Sequence, residues 1–470
     1  MDHADQILHA DWVIPVEPDL GSLSDHCVVI VGDRIVAVLP SDQARQKFSA
    51  EIETELPNHA LIPGFVNCHT HAAMSLFRGL ADDIPLGDWL ENHIWPAEAR
   101  CVDRQFVHDG TLLAAAEMLR SGTTCFNDMY FFPDEAAAAA IKMGIRAVVG
   151  MIVIGFPSAW AANPDKYLRH GQQVHDRYRS HPLISTTFAP HAPYTVDDET
   201  LKRVATLAEE LDVPIQMHIH ETQFEVDQSI AEHGSRPLAR LTELGLMSHR
   251  LMAIHMTCLT DAEIAEAARA GVKVVHCPES NLKLASGFCP VAKLLDAGVC
   301  VALGTDGAAS NNDLDMLGEM RTAALLAKGV AGDPKVVSAT QALRLATYGG
   351  AQALGMESEL GSLAAGKLAD IVAVDLGGFS AAPLYNPVSQ IVYAGHRDQV
   401  SNVWVGGRRV VHDRKLSNVD VATLKHTADH WRDKITLDND KTATRTRRIK
   451  TVAPSSIGHR CVEILLSGDS

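Results

Sequence analysis

Two histidines one residue apart, His69 and His71, close an apolar run in the stretch "GFVNCHTHAAM". Side chains alternate faces along a strand, so residues i and i+2 project to the same side, and two imidazoles placed this way can grip one ion. Alone, the pair carries little weight in a chain with 23 histidines. It gains weight because other apolar runs end the same way: His191 after "LISTTFAP", His218 and Glu221 around "PIQMHIH", His255 in "LMAIH", His276 in "VKVVH" and Asp306 in "VCVALGTD". A third histidine and an aspartate beside His69 and His71 complete a set of nitrogen and oxygen donors suited to Zn2+, with Fe2+ as the alternative. His218 and His220 have equal strand parity, so alternation leaves the choice between them open. A core or surface role is the commoner one for any single histidine, and His276 is read as a hydrogen-bonding residue of the barrel top.

The elements that must position these residues are legible as alternating strands and helices. Candidate strands are "ALIPGFVN", "TTCFNDM", "RAVVGMIV", "LISTTFAP", "PIQMHIH", "LMAIH", "VKVVH" and "VCVALGTD". Between two of them, Leu201, Val204, Ala205 and Ala208 follow the i, i+3, i+4, i+7 spacing of a helix, and Thr260 to Glu263 forms a capping-box sequence before another. Eight strands with intervening helices over some three hundred residues predict a TIM-type (β/α)8 barrel, whose reactive residues sit at the C-terminal ends of its strands. No GxGxxG follows the first strand, which argues against an open doubly wound sheet. Outside the barrel the texture is short strands and glycine turns: "HCVVIVGDRIVAVLP" reads as a hairpin about Gly32-Asp33, and "GSLAAGKLADIVAVDL" and "VSNVWVGGRRVVHD" resume the pattern. The expected organisation is an α/β chain in which residues 1–60 and 361–420 pair into a small β-sandwich, 61–360 form the barrel and 421–470 a helical or irregular tail. From about residue 435 no sustained period is present, and no element is read there.

With 470 residues, 46% of them hydrophobic and 21% charged, the chain has the composition of an ordinary globular protein. A formal charge of −17 argues against a nucleic-acid partner, since phosphate contacts need clustered Lys and Arg, and "TRTRRIK" is short and isolated. The start, "MDHADQILHADWVIPVE", has acids where a secretory signal needs bases, and the longest apolar stretch, "RAVVGMIVIGF", is broken by Arg146 and too short for a span. Nine cysteines without a CxxC pair read as free thiols. The expectation is a cytoplasmic protein without a membrane partner.

The motifs "NCHTH", "PHAPYT", "MHIHET", "AIHMT", "HCPESNLKLASGFCP" and "GTDGAASNNDLDM" resemble those of the amidohydrolase superfamily, in its adenosine-type deaminase branch, and look closest to bacterial 5′-methylthioadenosine/S-adenosylhomocysteine deaminases. The resemblance extends to about residue 420. It implies His69, His71, His218 and Asp306 as ligands of one Zn2+ per subunit, Fe2+ being the alternative, and leaves His220 out. It further implies Glu221 as proton shuttle, His255 as the group orienting the attacking water, and Asp306 as the base that accepts its proton. Glu98 would hold the ribose hydroxyls and His191 face a purine ring nitrogen, with Trp89 and His218 at the same pocket. Where some relatives carry an arginine at the end of strand three, the matching position here is Met151, which favours an apolar thioether over a charged tail. The implied substrate is a small adenosine-type nucleoside, and relatives are usually homo-oligomers. A deaminase or chlorohydrolase of another heterocycle, such as guanine, a pterin or an s-triazine, is the alternative, because fold and ligands do not separate the two. A non-enzymatic assembly protein on the same barrel is the third reading; the four ligands and the acid, all present, speak against it.

Overall fold

The computed structural model describes residues 1–18 and 21–451, with side chains described as far as 436. The short strands at both ends of the chain join in one sheet. β1 (Asp2–Val13), β2 (Leu23–Val31), β3 (Arg34–Pro40) and β4 (Phe48–Pro63) come before the barrel. The barrel strands are β5 (Phe65–Thr70), β6 (Thr123–Asp128), β7 (Arg146–Val153), β8 (Ile184–Pro190), β9 (Ile215–Ile219), β10 (Leu251–His255), β11 (Lys273–His276) and β12 (Cys300–Leu303). After them come β13 (Ile371–Asp375), β14 (Val400–Val405), β15 (Arg408–His412) and β16 (Lys415–Leu416).

The outer strands run in the order β16-β15-β14-β13-β4-β1-β2-β3. N- and C-terminal segments meet where β13 pairs antiparallel with β4, Ile371 opposite Pro63 and Val374 opposite Ala60. The predicted β-sandwich is this one continuous sheet. Leu8, Val28, Ile30 and Leu61 from its first half pack with Ile371 and Trp404 from its second, so one apolar cluster binds the two halves. The hairpin turns at Gly32, whose φ of +61° is cheap only for a residue without Cβ.

The remaining eight strands are parallel, in the sequential order β5 to β12. They are buried almost throughout, which is why they read as apolar runs without strict alternation. The first candidate strand, "ALIPGFVN", divides between two sheets: Ala60 to Pro63 end β4 and Phe65 begins β5. Gly64 makes the transition, because a Cβ there would lie 2.0 Å from Thr124 Oγ1. The seam between last and first strands is closed by Asp306 N–H donating to the His69 carbonyl (3.0 Å), and by Thr305 N–H donating to Asn67 Oδ1 (3.0 Å). Helices cover the outside as their patterns predict: in Asp198–Leu211, capped by Asp197, Leu201, Val204 and Ala208 are buried.

Two features depart from simple reading. Arg146, which interrupts an apolar run, is buried against Asp370 at 3.0 Å, so a charge ties the barrel to the sheet beside it. The segment in which no period is visible after residue 435 continues the helix Val421–Thr451. Trp431 anchors that helix, meeting Phe106 edge-on at 5.1 Å and donating Nε1–H to Asp109. The end of the predicted tail, from 452 onward, lies outside the described residues. No helix among the described residues is long and apolar enough to cross a membrane.

Candidate active site

The strand-end residues converge at one mouth of the barrel. Ligand atoms of His69, His71, His218 and Asp306 all lie within 4.8 Å of one another. The outward nitrogens of two of the histidines are committed: His71 Nδ1–H donates to the Met129 carbonyl (2.6 Å) and His218 Nδ1–H to the His191 carbonyl (2.9 Å). Their Nε2 lone pairs therefore point inward, His218 Nε2 standing 3.0 Å from His69 Nε2 and His71 Nε2 3.2 Å from Asp306 Oδ1. Acceptors facing acceptors at this distance require a positive charge between them, and fixed outer nitrogens are how metal-binding imidazoles are held. The donor set thus fits one divalent cation. Two other His and carboxylate groups, around His3 and His9, lie on the outer sheet, where Glu51, Glu53 and Glu55 are exposed.

His220 does not join the set. β9 ends at Ile219, and His220 has a φ of +53°, so alternation stops one residue before it. Its ring faces the Cys258 carbonyl (Nδ1, 3.1 Å) and accepts the Leu238 N–H (Nε2, 3.3 Å), which settles geometrically what parity left open. His255 and Asp306 also have positive φ, 74° and 61°: strain gathers where side chains must turn into the mouth. Gly304 lets β12 approach, since a Cβ there would come within 2.7 Å of the His69 nitrogen.

The neighbours of the donor set are buried and mutually supported. Asp306 Oδ2 accepts hydrogen bonds from Ser280 (2.7 Å) and Ser310 (2.8 Å), leaving Oδ1 toward the histidines. Burial opposes its charge, but His69 and His71 hold the carboxyl well below the usual range. His255 Nδ1–H donates to Asn281 Oδ1 (2.8 Å), and its Nε2 lies 3.8 Å from Glu221. Burial, then the charge of Asp306, push Glu221 up to about 8, so it carries a proton at neutral pH.

A cleft opens over this centre. Glu98, His191 and Trp89 all line it, as does Glu221. Trp89 opens the widened, π-type turn Trp89–Ile94, a feature common at functional sites, and the helix that follows, Trp95–Cys101, delivers Glu98. Burial raises Glu98 to about 7, and Tyr130 OH donates to its Oε1 at 2.7 Å. Burial, then His71 and His69, lower His191 to about 3, and its Nδ1 meets Thr195 Oγ1 at 3.0 Å.

One reading needs correction. Met151 lies away from the cleft, packed against Gly171 of the helix Pro164–Tyr178; alternation along β7 turns Ile152 and then Ile154 inward instead. His276 is buried, and its Nδ1 has no hydrogen-bond partner among the described residues. Sequence reasoning missed Tyr130, Ser280, Asn281 and Ser310. Three of these stand inside the motifs "HCPESNLKLASGFCP" and "GTDGAASNNDLDM", where a signal existed without an assigned contact; Tyr130 had none.

Stripped of metal, this cluster makes stability depend on pH. Glu98 and Glu221 are raised from 4.5 to about 7 and 8, each first by burial. Above pH 6.5 unfolded histidines are already neutral, while these acids keep a proton in the fold that the unfolded chain has lost. Their contribution is complete below pH 4.5 and disappears as pH rises through 7 to 8. The unfolding temperature of the metal-free protein is expected to fall between pH 6.5 and 8.5; a rise would contradict the protonated state of these acids.

The sequence pattern of the amidohydrolase family matches residues 60–410, the barrel and the strands that flank it. The chain belongs to the amidohydrolase family. This amidohydrolase is 48% identical over 431 residues to a 5-methylthioadenosine/S-adenosylhomocysteine deaminase of Teredinibacter turnerae, spanning 92% of this chain and 98% of the relative. It is 49% identical to the protein of the same description from Saccharophagus degradans, over 92% and 97%. Among solved structures, an adenosine deaminase from Xanthomonas campestris with bound zinc superposes with a TM-score of 0.92 at 52% identity, over 93% of this chain and 99% of that one. An atrazine chlorohydrolase from Arthrobacter aurescens, complexed with zinc, gives 0.83 at 25% identity, over 91% and 99%. Family and donor set together make this amidohydrolase a metal-binding protein.

Proposed function

We propose that this amidohydrolase hydrolytically deaminates adenosine-type nucleosides, 5′-methylthioadenosine ahead of S-adenosylhomocysteine and adenosine, giving the inosine analogue and ammonia. The observation that carries the reading is the pair of buried acids in one cleft: Glu221 beside the metal donors, and Glu98, tied to Tyr130, as a second acid. An acid that holds ribose hydroxyls would have no purpose with a bare heterocycle. The relatives named as methylthioadenosine/S-adenosylhomocysteine deaminases support the same substrate class.

A Zn2+ ion, or Fe2+, held by His69, His71, His218 and Asp306 would supply the nucleophile, since such an ion lowers the pKa of water to roughly 7. Glu221, protonated, gives its proton to N1 as charge builds on the ring during attack at carbon six. Asp306, its Oδ2 occupied by two hydroxyls, takes the water's proton at Oδ1 and passes it toward the leaving amine. His255, fixed by Asn281, orients the attacking oxygen and stabilises its charge. His191 faces a ring nitrogen, Glu98 accepts the ribose hydroxyls, and Trp89 walls the pocket. Ile152, Ile154 and Phe156 give the cleft an apolar side, and no Lys or Arg among the described residues lines it, which suits a methylthio group better than a charged amino-acid tail.

The test is the change in each substrate's own ultraviolet band, the adenine band for the adenosines, with zinc-loaded protein and separate samples of methylthioadenosine, S-adenosylhomocysteine, adenosine, guanine and a chloro-s-triazine. Methylthioadenosine should turn over fastest. Turnover confined to guanine or the triazine would overturn the nucleoside reading. Glu98→Ala is expected to raise KM for nucleosides by about 10- to 100-fold, the worth of hydrogen bonds to a charged group, with a smaller effect on kcat. Unchanged nucleoside kinetics would remove Glu98 from ribose binding.

A further inference from the structure

Alternation along β9 sends His218 into the mouth and would send Glu221, three residues on, the other way. Glu221 nevertheless lines the cleft, because the backbone turns at His220 into the left-handed region, φ +53°, which a side-chain-bearing residue holds only when its surroundings compel it. The compelling group is Glu225. It stands in the first turn of the helix Gln223–His233, whose cap is Thr222. In a capping box this glutamate would reach back to the cap residue's own N–H. Here it reaches further: Oε1 accepts the His220 N–H (2.9 Å) and Oε2 the Glu221 N–H (2.8 Å). The opposite edge is held by Thr257, whose hydroxyl donates to the Glu221 carbonyl (2.8 Å) and whose N–H donates to the His220 carbonyl (2.9 Å). The backbone carrying the acid is thus gripped on both edges, by the Glu225 side chain from the helix that follows and by Thr257 from the loop after β10.

We infer that Glu225 is a positioning residue for the reaction: its two-oxygen clamp on successive N–H groups holds Glu221 in the cleft at the place where a ring nitrogen is protonated. This rests on the reading of Glu221 as proton donor. Glu225 touches neither the substrate cleft nor the metal donors, and acts only through the backbone it holds. Both of its oxygens are acceptors, and that is the property the role needs. An amide of the same shape would turn a donor toward one of the two N–H groups.

Glu225→Gln is expected to lower kcat for methylthioadenosine by about 10- to 100-fold, in line with the penalty for a misplaced catalytic group. KM should stay within about threefold, and bound metal should be unchanged. The deciding measurement is a double-mutant cycle. If Glu225 works through Glu221, Glu225→Gln has no further effect on kcat once Glu221→Gln is in place. Losses that multiply in the double variant, or a single variant with wild-type kcat, would overturn the inference. Thr257→Val, which releases the other edge, serves as second variant should Glu225→Gln not fold, and the same pattern is expected of it. Wild-type protein that turns over only another heterocycle would sink the nucleoside reading, and the cycle, run on that heterocycle, would still decide the clamp.

Discussion

Replacing Glu221 by Gln is expected to lower kcat for methylthioadenosine by about 100- to 10,000-fold, the usual contribution of a positioned acid or base. KM and metal content should change little. The amide keeps the shape and the hydrogen bond but has no acidic proton to give. The size of the effect follows from the environment: burial and the nearby Asp306 carboxylate keep the acid protonated near neutral pH, where an exposed glutamate would be ionised. Steady-state rates from the adenine band, with metal analysis on the same samples, check it. A variant within about threefold of wild type would dismiss Glu221 as the proton donor.

The second large effect is expected from His71→Ala. His71 is the most exposed of the four donors, so its truncation opens the cleft rather than an interior cavity. The loss of metal affinity should exceed the roughly 10- to 100-fold that removal of an outer hydrogen-bond partner costs, and turnover should fall to background. Elemental analysis after dialysis against a weak chelator reads the affinity directly. Wild-type metal retention would mean that the four-residue set is wrong. Deaminase turnover by wild-type protein freed of metal would go further and remove the metal from the chemistry.

Much of this architecture could be read from the residues because it is repetitive. Eight buried parallel strands each produce an apolar run, and most of those runs end in or beside a histidine or an acid, so His69, His71, His255 and Asp306 were visible as a pattern. What local periodicity could not carry is non-local. Ser280 and Ser310 meet Asp306 from different loops, Tyr130 meets Glu98 across the cleft, and Glu225 acts through two backbone N–H groups. Parity failed where strands stop being strands: it could not choose between His218 and His220, because the chain has left β9 by His220. Met151 was misplaced for the converse reason, since within β7 alternation does hold and assigns the inward face to Ile152. The helix after residue 435 escaped notice because it has no apolar stripe to betray it, its packing residues Leu424, Trp431 and Ile435 lying further back.

The closed seam has a kinetic consequence. Asn67 and Thr305, which zip β5 to the end of β12, are 238 residues apart in sequence, and the donors beside them, His69, His71 and Asp306, straddle the same join. An ion bound there closes a very long loop, and loops of that length carry a large closure entropy in the unfolded chain. Its capture has to wait for the eighth strand to dock against the first. Once held, it can leave only when those two strands part or when the histidines swing into the cleft. Exchange of the ion with solution would then run at the pace of whichever of these two motions is faster.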